Sequence, residues 1–394
     1  MVKIQTNGWD LSKTTRLPFR AIFVALFLLA GVLGAQPEVG AETAKQEVPP
    51  GQETTSKVRP DRGSGYRPDV AAHRGSCGFL PEHTLEGMAF AYAAGADYIE
   101  QDVVMTRDGV LVVLHDHTLE TTTDVAKVFP GRHRPDGSYY AIDFSFAEIR
   151  SLRVTERFKP ATGQAVFPGR FPVDSEIDFR VPTLREALEL IQGLNQSTGQ
   201  YRMPYVEVKE PAFFEREGKP IMQATIDMLT EYGWNSLESG AILQCFDYEA
   251  TKGARAQGWK GELCMLVNLD GQRLTDDRSR QKWMLSPEGI REVSRFATIY
   301  APWFSLMAEP REDGRGYRIN DLCQQARKNG MKVHSWTHRR DAPLKGFTDS
   351  RQVLDAAFKE LKLDGLFSDF PGDVVDYLRQ EGLRQPFGQA PDSP

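Results

Sequence analysis

The sequence predicts an α/β fold, a (β/α)8 barrel of eight short strands with a small insertion after the second strand region. Two observations support this prediction. Short apolar segments recur over about 300 residues from Asp69 onward, and helical patterns lie between most of them. A third observation disfavours the alternative, a doubly wound sheet, because no glycine-rich dinucleotide loop follows the first strand.

The predicted elements alternate along the chain. The strands are the short apolar segments at 70–73, 98–104, 204–209, 241–245, 262–267, 297–301, 331–336 and 364–368. The helical patterns between them include 84–94, 183–193, 221–232, 319–329 and 350–361. Eight such units are the number that closes a barrel.

Two stretches are too long for one strand–helix unit. Residues 105–182 contain a hairpin signal at Asp108–Gly109 and a turn-rich part around 130–137, and residues 268–290 are polar. We interpret both stretches as insertions on the barrel. The insertion after the second strand region is assigned to 117–182.

The N-terminal part predicts a targeting segment that is separate from the fold. Basic residues precede an apolar run at 21–33 and small residues follow it, which is the three-part pattern of a signal peptide. We therefore expect a signal peptide at 1–35, a flexible linker at 36–69, the barrel at 70–382 and a tail at 383–394.

A signal peptide implies export, to the periplasm or to the cell exterior. The apolar run is short for a membrane span, which needs about 20 residues. Membrane contact is therefore expected only if the segment stays uncleaved, and cleavage at Ala35, cleavage at Ala41 and a retained anchor are left open. In an oxidising compartment the four cysteines could pair.

The composition excludes several protein classes. The 48 Lys and Arg against 54 Asp and Glu give a net charge of −6, which argues against nucleic-acid binding. Hydrophobic residues make up 40% of the chain, enough for a large core. Four cysteines in 394 residues exclude a disulfide-dense scaffold, and no paired-cysteine motif indicates zinc.

Four charged residues lie near the ends of the second and third predicted strands. Glu100 and Asp102, and likewise Glu207 and Lys209, are two residues apart, so each pair points to one face of its strand. Active sites of such barrels lie at the C-terminal ends of the strands. Three carboxylates without a cysteine favour Ca²⁺ or Mg²⁺ over zinc. Salt bridges inside the barrel mouth are the alternative.

Two histidines follow apolar segments near this acidic group. His73 and Arg74 follow the first strand, and His115 ends the apolar run 110–114. Two imidazoles can act as general base and general acid near neutral pH, and Arg74 and Lys209 can bind a phosphate. Together these residues suggest phosphoryl chemistry, although structural histidines are the alternative. The sequence contains no nucleophile elbow, P-loop or H-E-x-x-H motif.

A series of motifs resembles the glycerophosphodiester phosphodiesterase family. They are A-H-R-G-S-C-G-F-L-P-E-H-T-L-E-G at 72–87, G-A-D-Y-I-E-Q-D-V-V-M-T-R-D-G-V-L-V-V-L-H-D-H-T-L at 95–119, Y-Y-A-I-D-F at 139–144, P-G-R-F-P at 168–172, D-F-R-V-P-T-L at 178–184, L-Q-C-F-D at 243–247, V-H-S-W-T-H-R at 333–339 and G-L-F-S-D-F-P at 365–371. The resemblance covers roughly 69–382 and is greatest to the exported bacterial subgroup, which has the E-H-T form and a long insertion after H-D.

The resemblance implies a barrel of the TIM type and the hydrolysis of glycerophosphodiesters to sn-glycerol 3-phosphate and an alcohol. Glycerophosphocholine and glycerophosphoethanolamine are the expected small-molecule substrates. The family's acid–base pair corresponds to His73 and His115, and its metal ligands correspond to Glu100, Asp102 and Glu207. The exported subgroup inclines the choice of divalent cation to Ca²⁺ over Mg²⁺.

Further positions match the family around this centre. Arg74 corresponds to a phosphate-binding residue, Lys209 to the lysine after the third-strand glutamate, and Glu82 to a polar position near the site. Phe246 and Trp336 match aromatic contacts, as do Phe213 and Phe214, but these rings are equally compatible with core packing. Cys77 departs from the small residue expected at its position.

The substrate class has alternatives with the same site residues. A lysophospholipid or a teichoic-acid-type polymer would require an apolar rim, for which Phe213–Phe214 and Trp303–Phe304 are candidates. A non-catalytic binding protein is disfavoured because all the site residues are retained. The sequence leaves the oligomeric state open.

Overall fold

Eight parallel strands close into a barrel in the computed structural model, which describes residues 58–60, 65–269, 278–313 and 315–385. The strands of the described chain are β1 (Asp69–Ala72), β2 (Tyr98–Met105), β3 (Leu111–Val113), β4 (Met203–Val208), β5 (Ile242–Cys245), β6 (Glu262–Val267), β7 (Ile299–Pro302), β8 (Ala308–Pro310), β9 (Tyr317–Ile319), β10 (Lys332–His338) and β11 (Gly365–Ser368). The barrel order is β1-β2-β4-β5-β6-β7-β10-β11, and β11 pairs with β1 to close it. The predicted fold class is confirmed, and each of the eight predicted strands overlaps one of these.

Helices connect the barrel strands on the outside. Those of the described chain are α1 (Leu85–Ala93), α2 (Val125–Val128), α3 (Phe146–Ser151), α4 (Leu184–Thr198), α5 (Pro211–Arg216), α6 (Ile221–Glu231), α7 (Tyr248–Ala256), α8 (Arg278–Trp283), α9 (Pro287–Val293), α10 (Leu322–Lys328), α11 (Ser350–Asp355) and α12 (Pro371–Gln380). A π-helical turn, Ala356–Glu360, extends α11.

Side-chain caps set where two of these helices begin. Thr183 accepts a hydrogen bond from the Glu186 N–H, and the Glu186 carboxylate accepts one from the Thr183 N–H, which forms a capping box at α4. Ser145 and Glu148 form the same box at α3. These caps satisfy backbone donors that the first helical turn leaves free.

Aromatic rings fill the barrel interior below its mouth. Tyr205 packs against Tyr98, His334 and Phe367 with centroid distances of 5.4, 5.9 and 4.8 Å. Tyr98 and Tyr205 lie two residues before the acidic positions on β2 and β4, on the same strand faces. The rings therefore form a packed floor beneath the polar residues of the mouth.

The stretch after β2 begins as the predicted hairpin. β3 pairs antiparallel with β2, and Gly109 in the connecting turn has a φ of +83°, a conformation that glycine adopts without steric cost. Residues 117–182, called the inserted segment below, contain α2, α3 and long loops. Isolated bridges such as Thr123 to Val154 join its loops.

The later part of the chain differs from the prediction in two places. Residues 268–290 were interpreted as an insertion, but their described part contains α8 and the start of α9, which form the crossover from β6 to β7. A crossover helix exposes one face to water, so its polar composition resembled that of a loop. An unpredicted hairpin, β8 with β9, follows β7 instead.

The ends of the chain lie mostly outside the described residues. The predicted signal peptide 1–35 is wholly outside them, as are most of the linker 36–69 and of the tail 383–394. Within the described residues, no helix has the length and apolar character needed to span a membrane. The four cysteines are described, and each is buried and unpaired, so the possible disulfides are absent from this part of the chain.

Candidate active site

The mouth of the barrel holds a cavity of about 680 Å³. Eight of the ten predicted site residues line it: His73, Arg74, Glu100, His115, Glu207, Lys209, Phe246 and Trp336. The other two, Asp102 and Glu82, lie behind this lining and form ion pairs with the Arg74 side chain. The barrel therefore brings all ten predicted residues to one end.

Parallel strand pairing brings the three predicted carboxylates together. Glu100 and Asp102 lie on one face of β2, and the register pairs Asp102 with Glu207 of the neighbouring β4. All three side chains are buried. The buried Oδ1 atom of Asp102 accepts no hydrogen bond from the described residues. The arrangement concentrates negative charge where water cannot fully solvate it.

Neighbouring charges shift the pKa values of these carboxyl groups in different directions. Burial, followed by the charges of Asp102 and Glu207, holds the pKa of Glu100 well above its usual value. Burial also raises the pKa of Glu207 to about 8, although the Lys209 ammonium opposes the shift. Burial would raise the pKa of Asp102 as well, but Lys209 and nearby imidazoles hold it well below its usual value.

Two cations contact this acidic group. Lys209 Nζ lies 2.6 Å from Glu207 Oε1 and 3.7 Å from Asp102 Oδ1. The Arg74 backbone N–H donates to Glu100 Oε2, and Arg74 Nε lies 3.9 Å from Asp102 Oδ2. Arg74 has a φ of +52°, an uncommon value for a residue with a Cβ. The cations compensate part of the negative charge and still line the cavity.

His83 belongs to the acidic group, although the sequence analysis did not select it. Its Nε2 atom lies 2.7 Å from Asp102 Oδ2, and its backbone has a φ of +62°. Donor atoms of His83, Glu100 and Asp102 lie within 4.8 Å of one another, close enough to hold a metal ion. The signal was present in the P-E-H-T motif, where only the glutamate was considered.

His73 is held by a carboxylate that follows the last strand of the barrel, β11. β1 pairs with β11, with Ala72 opposite Ser368, so the next residues, His73 and Asp369, lie side by side. The Nδ1 atom of His73 lies 2.6 Å from Asp369 Oδ1. Burial, followed by the charge of Arg74, lowers the pKa of His73 to about 4, against the opposing charge of Asp369. The sequence analysis assigned Asp369 no role.

His115 has an equivalent partner in the next residue. Its Nδ1 atom lies 2.6 Å from Asp116 Oδ1. Burial, followed by the charges of Arg74 and Lys209, lowers the pKa of His115 well below its usual value. An ionised carboxylate only accepts hydrogen bonds, so Nδ1 carries the proton in each histidine, and Nε2 of the neutral ring accepts one. Each ring can therefore exchange a proton with a bound molecule.

Glu82 joins two arginines behind the cavity. Its carboxylate accepts hydrogen bonds from Arg74 Nη1 at 3.0 Å and from Arg157 Nε and Nη2 at 2.9 and 2.6 Å. Burial would raise the pKa of Glu82, but Arg157 and Arg74 hold it well below its usual value. Glu82 thus supports the guanidinium group of Arg74 and does not itself line the cavity.

A family model described as the glycerophosphoryl diester phosphodiesterase family matches residues 73–373. The match runs from His73 past Asp369 and includes all the side chains described above. The chain belongs to this family. Membership makes the protein an enzyme, a phosphodiesterase, and agrees with the resemblance of its motifs.

Individual relatives support the same assignment. The chain is 37% identical over 326 residues to a glycerophosphodiester phosphodiesterase of Haemophilus influenzae, covering 79% of this chain and 89% of the relative. It is 31% identical to a Treponema pallidum protein of the same name, covering 78% and 91%. A crystal structure of a protein from Silicibacter pomeroyi, attributed to the same family, superposes with a TM-score of 0.60 at 26% identity, covering 82% of this chain and 96% of that chain.

Aromatic rings also line the cavity of this phosphodiesterase. Phe246 packs edge-to-face on Trp336 at 5.4 Å, and the Trp336 indole N–H donates to the Ala301 carbonyl at 3.1 Å. Phe167 and Trp303 also line the cavity. This apolar wall can contact the non-phosphate part of a substrate.

The other predicted aromatic residues lie elsewhere. Phe213 stacks on Tyr140 at 5.4 Å and contacts the ring of His117 at 5.0 Å, which makes it part of the packing between α5 and the inserted segment. Phe214 and Phe304 are fully buried core residues. Of the two suggested rim pairs, only Trp303 lines the cavity.

Proposed function

We propose that the enzyme hydrolyses glycerophosphodiesters such as glycerophosphocholine and glycerophosphoethanolamine to sn-glycerol 3-phosphate and an alcohol, with His73 and His115 as its acid–base pair. The observation that carries the proposal is the matched pairing of these histidines at one cavity, each with Nδ1 2.6 Å from a carboxylate oxygen. The names of the two relatives support this substrate class.

The histidines transfer protons during the reaction. Both rings are neutral near pH 7 in the free enzyme, because burial and nearby cations lower the pKa values of His73 and His115. An anionic phosphodiester in the cavity raises both pKa values, so one ring becomes able to hold a second proton. One histidine then takes a proton from the nucleophile, and the other protonates the departing alkoxide.

Arg74 and Lys209 bind the phosphodiester. Both side chains line the cavity, and for both groups the nearby carboxylates raise the pKa despite burial, so each stays charged across the working pH range. The contact of Glu82 with Arg74 orients the guanidinium group. Two fixed cations stabilise the negative charge that develops on the phosphoryl oxygens.

A divalent cation, Ca²⁺ in preference to Mg²⁺, completes the site at Glu100, Asp102 and Glu207. The fit follows from the geometry of the three carboxylates: all are buried, Asp102 lies opposite Glu207 in the strand register, and Asp102 Oδ1 accepts no hydrogen bond from the described residues. An all-oxygen set favours a hard cation, and the motifs typical of the exported subgroup favour Ca²⁺. Such a cation, when bound, lowers the pKa of a hydroxyl or water and screens the phosphate charge.

The test is the release of glycerol 3-phosphate from glycerophosphocholine. Purified protein is assayed first as prepared, then with a chelator, and then with Ca²⁺ or Mg²⁺ restored. We expect release to disappear with the chelator and to return with Ca²⁺ at a lower concentration than with Mg²⁺. Full activity in the chelator would contradict the metal proposal, and no release with either cation would contradict the substrate class.

The aromatic wall keeps a second substrate class under consideration. A lysophospholipid or a teichoic-acid-type polymer would place apolar or bulky groups against Phe246, Trp303 and Trp336. Assays with glycerophosphocholine and lysophosphatidylcholine at equal concentration separate the two classes. A higher kcat/KM for the lysophospholipid would favour this alternative.

Export to the periplasm, or beyond the cell, is proposed from the pattern at 1–35. Basic, apolar and small residues follow one another there in the order of a signal peptide. N-terminal sequencing of the protein from an exporting host tests the proposal. A mature terminus after Ala35 or Ala41 supports it, and an intact Met1 in the cytoplasmic fraction contradicts it.

A further inference from the structure

Two arginines of the inserted segment reach into the barrel mouth. The side chains of Arg157 and Arg170 are only 9% and 3% exposed. Arg132 and Arg180 on the same segment are each 37% exposed. A guanidinium group buried to this extent needs several hydrogen-bond acceptors, and the acceptors here include carboxylates that contact the site histidines.

Arg170 connects the inserted segment to the carboxylate beside His73. Its Nη2 atom donates to Asp369 Oδ2 at 2.7 Å, and the same guanidinium group forms a two-bond contact with Asp341 at 2.7 and 3.0 Å. Its Nη1 atom donates to the Cys77 carbonyl at 3.4 Å. The guanidinium carbon lies 3.8 Å from the centre of the Phe167 ring. These contacts fix the guanidinium group on several sides.

Arg157 makes the corresponding connection to the carboxylate beside His115. Its Nη1 atom donates to Asp116 Oδ2 at 2.6 Å and to Thr121 Oγ1 at 3.1 Å. Its remaining nitrogens bind Glu82 at 2.6 and 2.9 Å. Asp116 and Glu82 are thus held by one guanidinium group.

The two arrangements match atom for atom. Asp369 and Asp116 each place Oδ1 2.6 Å from a histidine Nδ1 and Oδ2 within 2.7 Å of an arginine of the inserted segment. The two aspartates come from different loops, one after β11 and the other after β3. The inserted segment is therefore the element that the two units share.

We propose that Arg157 and Arg170 are positioning residues for the two histidines, so that the inserted segment completes two His–Asp–Arg units at the active site. The inference rests on the proposed acid–base roles of His73 and His115. A carboxylate held through only one oxygen can rotate about its side-chain bonds, and the imidazole turns with it. A guanidinium group on the second oxygen prevents this rotation.

The two units differ in the number of guanidinium groups that contact the aspartate. Asp369 Oδ2 also accepts a hydrogen bond from Arg339 Nε at 2.8 Å, so it keeps one guanidinium partner without Arg170. Without Arg157, the Oδ2 atom of Asp116 keeps a single hydrogen bond from the described residues, donated by the Thr121 hydroxyl at 2.9 Å. Loss of Arg157 is therefore expected to affect turnover more than loss of Arg170.

The test compares Arg157→Met and Arg170→Met in the full-length enzyme with glycerophosphocholine as substrate. Arg180→Met is the matched control, because Arg180 lies on the same segment but binds the carbonyls of residues 150–152 and the Asp178 carboxylate. We expect kcat to fall about 100-fold for Arg157→Met and about 10-fold for Arg170→Met, with KM changed less than about threefold. The control is expected to keep the wild-type kcat.

The pH profile of Arg170→Met gives a readout that a general loss of structure would not produce. The charged and titratable groups facing His73 are Asp369, Arg74, Arg339 and Cys77. Removal of Arg170 leaves the negative charge of Asp369 less compensated, which favours the protonated imidazole. The acidic limb of kcat/KM is therefore expected to move to higher pH.

Conservative variants keep the inference falsifiable if a methionine variant does not fold. Arg157→Lys and Arg170→Lys keep the charge, but an ammonium group cannot bridge two carboxylates as a fork. We expect kcat about 10-fold below wild type with the acidic limb unmoved. Wild-type kcat in these folded variants, or a change confined to KM, would overturn the inference.

The outcomes separate this inference from the proposed function. If His73→Ala and His115→Ala lose turnover while the folded arginine variants keep it, the positioning role is wrong and the proposed function stands. If the histidine variants turn over at the wild-type rate, the proposed function fails and the inference fails with it.

Discussion

Carboxyl groups in the barrel mouth have different pKa values because their nearest neighbours differ. Glu100 and Asp102 are two residues apart on one strand, yet the pKa of Glu100 is raised and that of Asp102 is lowered. Glu100 faces two other carboxylates, whereas Asp102 has Lys209 and His83 close by. Burial removes the water that would otherwise make their environments alike.

The proposed proton transfer depends on the side chains of His73 and His115. We expect His73→Ala and His115→Ala each to lower kcat by about 10²- to 10⁴-fold, the usual range for loss of a general acid or base. His133→Ala is the control, because this exposed histidine lies outside the cavity lining and, among the described residues, contacts the Arg134 carbonyl and the Tyr139 ring. Turnover close to wild type in either site variant would remove that histidine from the proton transfer.

Glu156 is a buried carboxyl group that should affect stability rather than turnover. It is 3% exposed, its Oε2 atom has no hydrogen-bond partner among the described residues, and burial, followed by the charge of Glu82, raises its pKa to about 8. Between pH 4.5 and 8 the folded state therefore holds a proton that the unfolded state has released. The free energy of unfolding must fall as pH rises through this window.

Glu156→Gln removes this proton linkage. We expect the variant to gain stability over wild type from pH 4.5 to 8, reaching about 2–4 kcal/mol and levelling off above pH 8. Chemical denaturation at several pH values measures the difference. A gap between the two proteins that stays constant with pH would show that Glu156 titrates normally.

At the scale of single elements, local signals decide where helices begin, and tertiary contacts decide what they carry. Thr183 directly follows the inserted segment, and its capping box with Glu186 starts α4. The helix thus follows directly from a short sequence pattern. The loops before it do not, because Arg157 and Arg170 are held by carboxylates on loops from other parts of the chain.

Thr183→Ala tests the contribution of the cap. We expect a loss of about 1 kcal/mol in the free energy of unfolding, because the N–H of Glu186 loses its side-chain acceptor. Ser197→Ala in the same helix is the control, since Ser197 is exposed and its hydroxyl bonds only to the Leu194 carbonyl within the helix. Equal losses in both variants would mean that the box is not stabilising.

At the scale of the whole molecule, folding of the barrel brings together carboxylates that are far apart in the unfolded chain. Three buried carboxylates on β2 and β4 face the cavity or lie just behind it. A bound divalent cation would offset their repulsion in the folded state only, so it would raise the apparent stability of the protein.

Glu100→Gln tests this effect on the whole molecule. The substitution removes a carboxylate charge, so we expect a higher Tm than wild type in chelator and a smaller rise in Tm on adding Ca²⁺. Thermal unfolding with and without the cation measures both quantities. An unchanged Ca²⁺ effect would exclude Glu100 from the ligands.

The open mouth predicts tolerance toward the leaving alcohol. The cavity is lined by both charged and aromatic side chains, which can accommodate head groups of different polarity. We expect kcat/KM to vary less than about tenfold among choline, ethanolamine and glycerol diesters, since each tenfold step needs 1.4 kcal/mol of discrimination. Differences of several orders of magnitude would indicate a dedicated head-group pocket.

Much of the fold could be predicted from periodicity. Each of the eight barrel strands was expected within a few residues of its position, because strands buried on both faces form short continuous apolar segments. The hairpin β8 with β9 was missed, since its strands are three residues long and only partly buried. The stretch that contains α8 and the start of α9 resembles an insertion in the sequence because the outer face of these helices is polar.

The site also contains residues that the sequence predicts and residues that it does not. The three carboxylates and Lys209 could be predicted because they lie near strand ends, and residues two apart on a strand share a face. The resemblance of the motifs supported the same residues. Asp369 and His83 escaped because their importance lies in contacts with residues 296 and 19 positions away. The local motifs that contain His83 and Asp369 do not reveal these distant partners.

The amino-acid order alone determined the barrel, the reaction class and eight of the residues that line the cavity, since these depend on periodicity and on short motifs. The partners of those residues, and hence their pKa values, were decided by the closed barrel. Strand register places Asp369 beside His73, and burial of the inserted segment's arginines places Arg157 and Arg170 on the two aspartates. Coulomb energies depend on distance through space and on local dielectric, and neither quantity is encoded by separation along the chain.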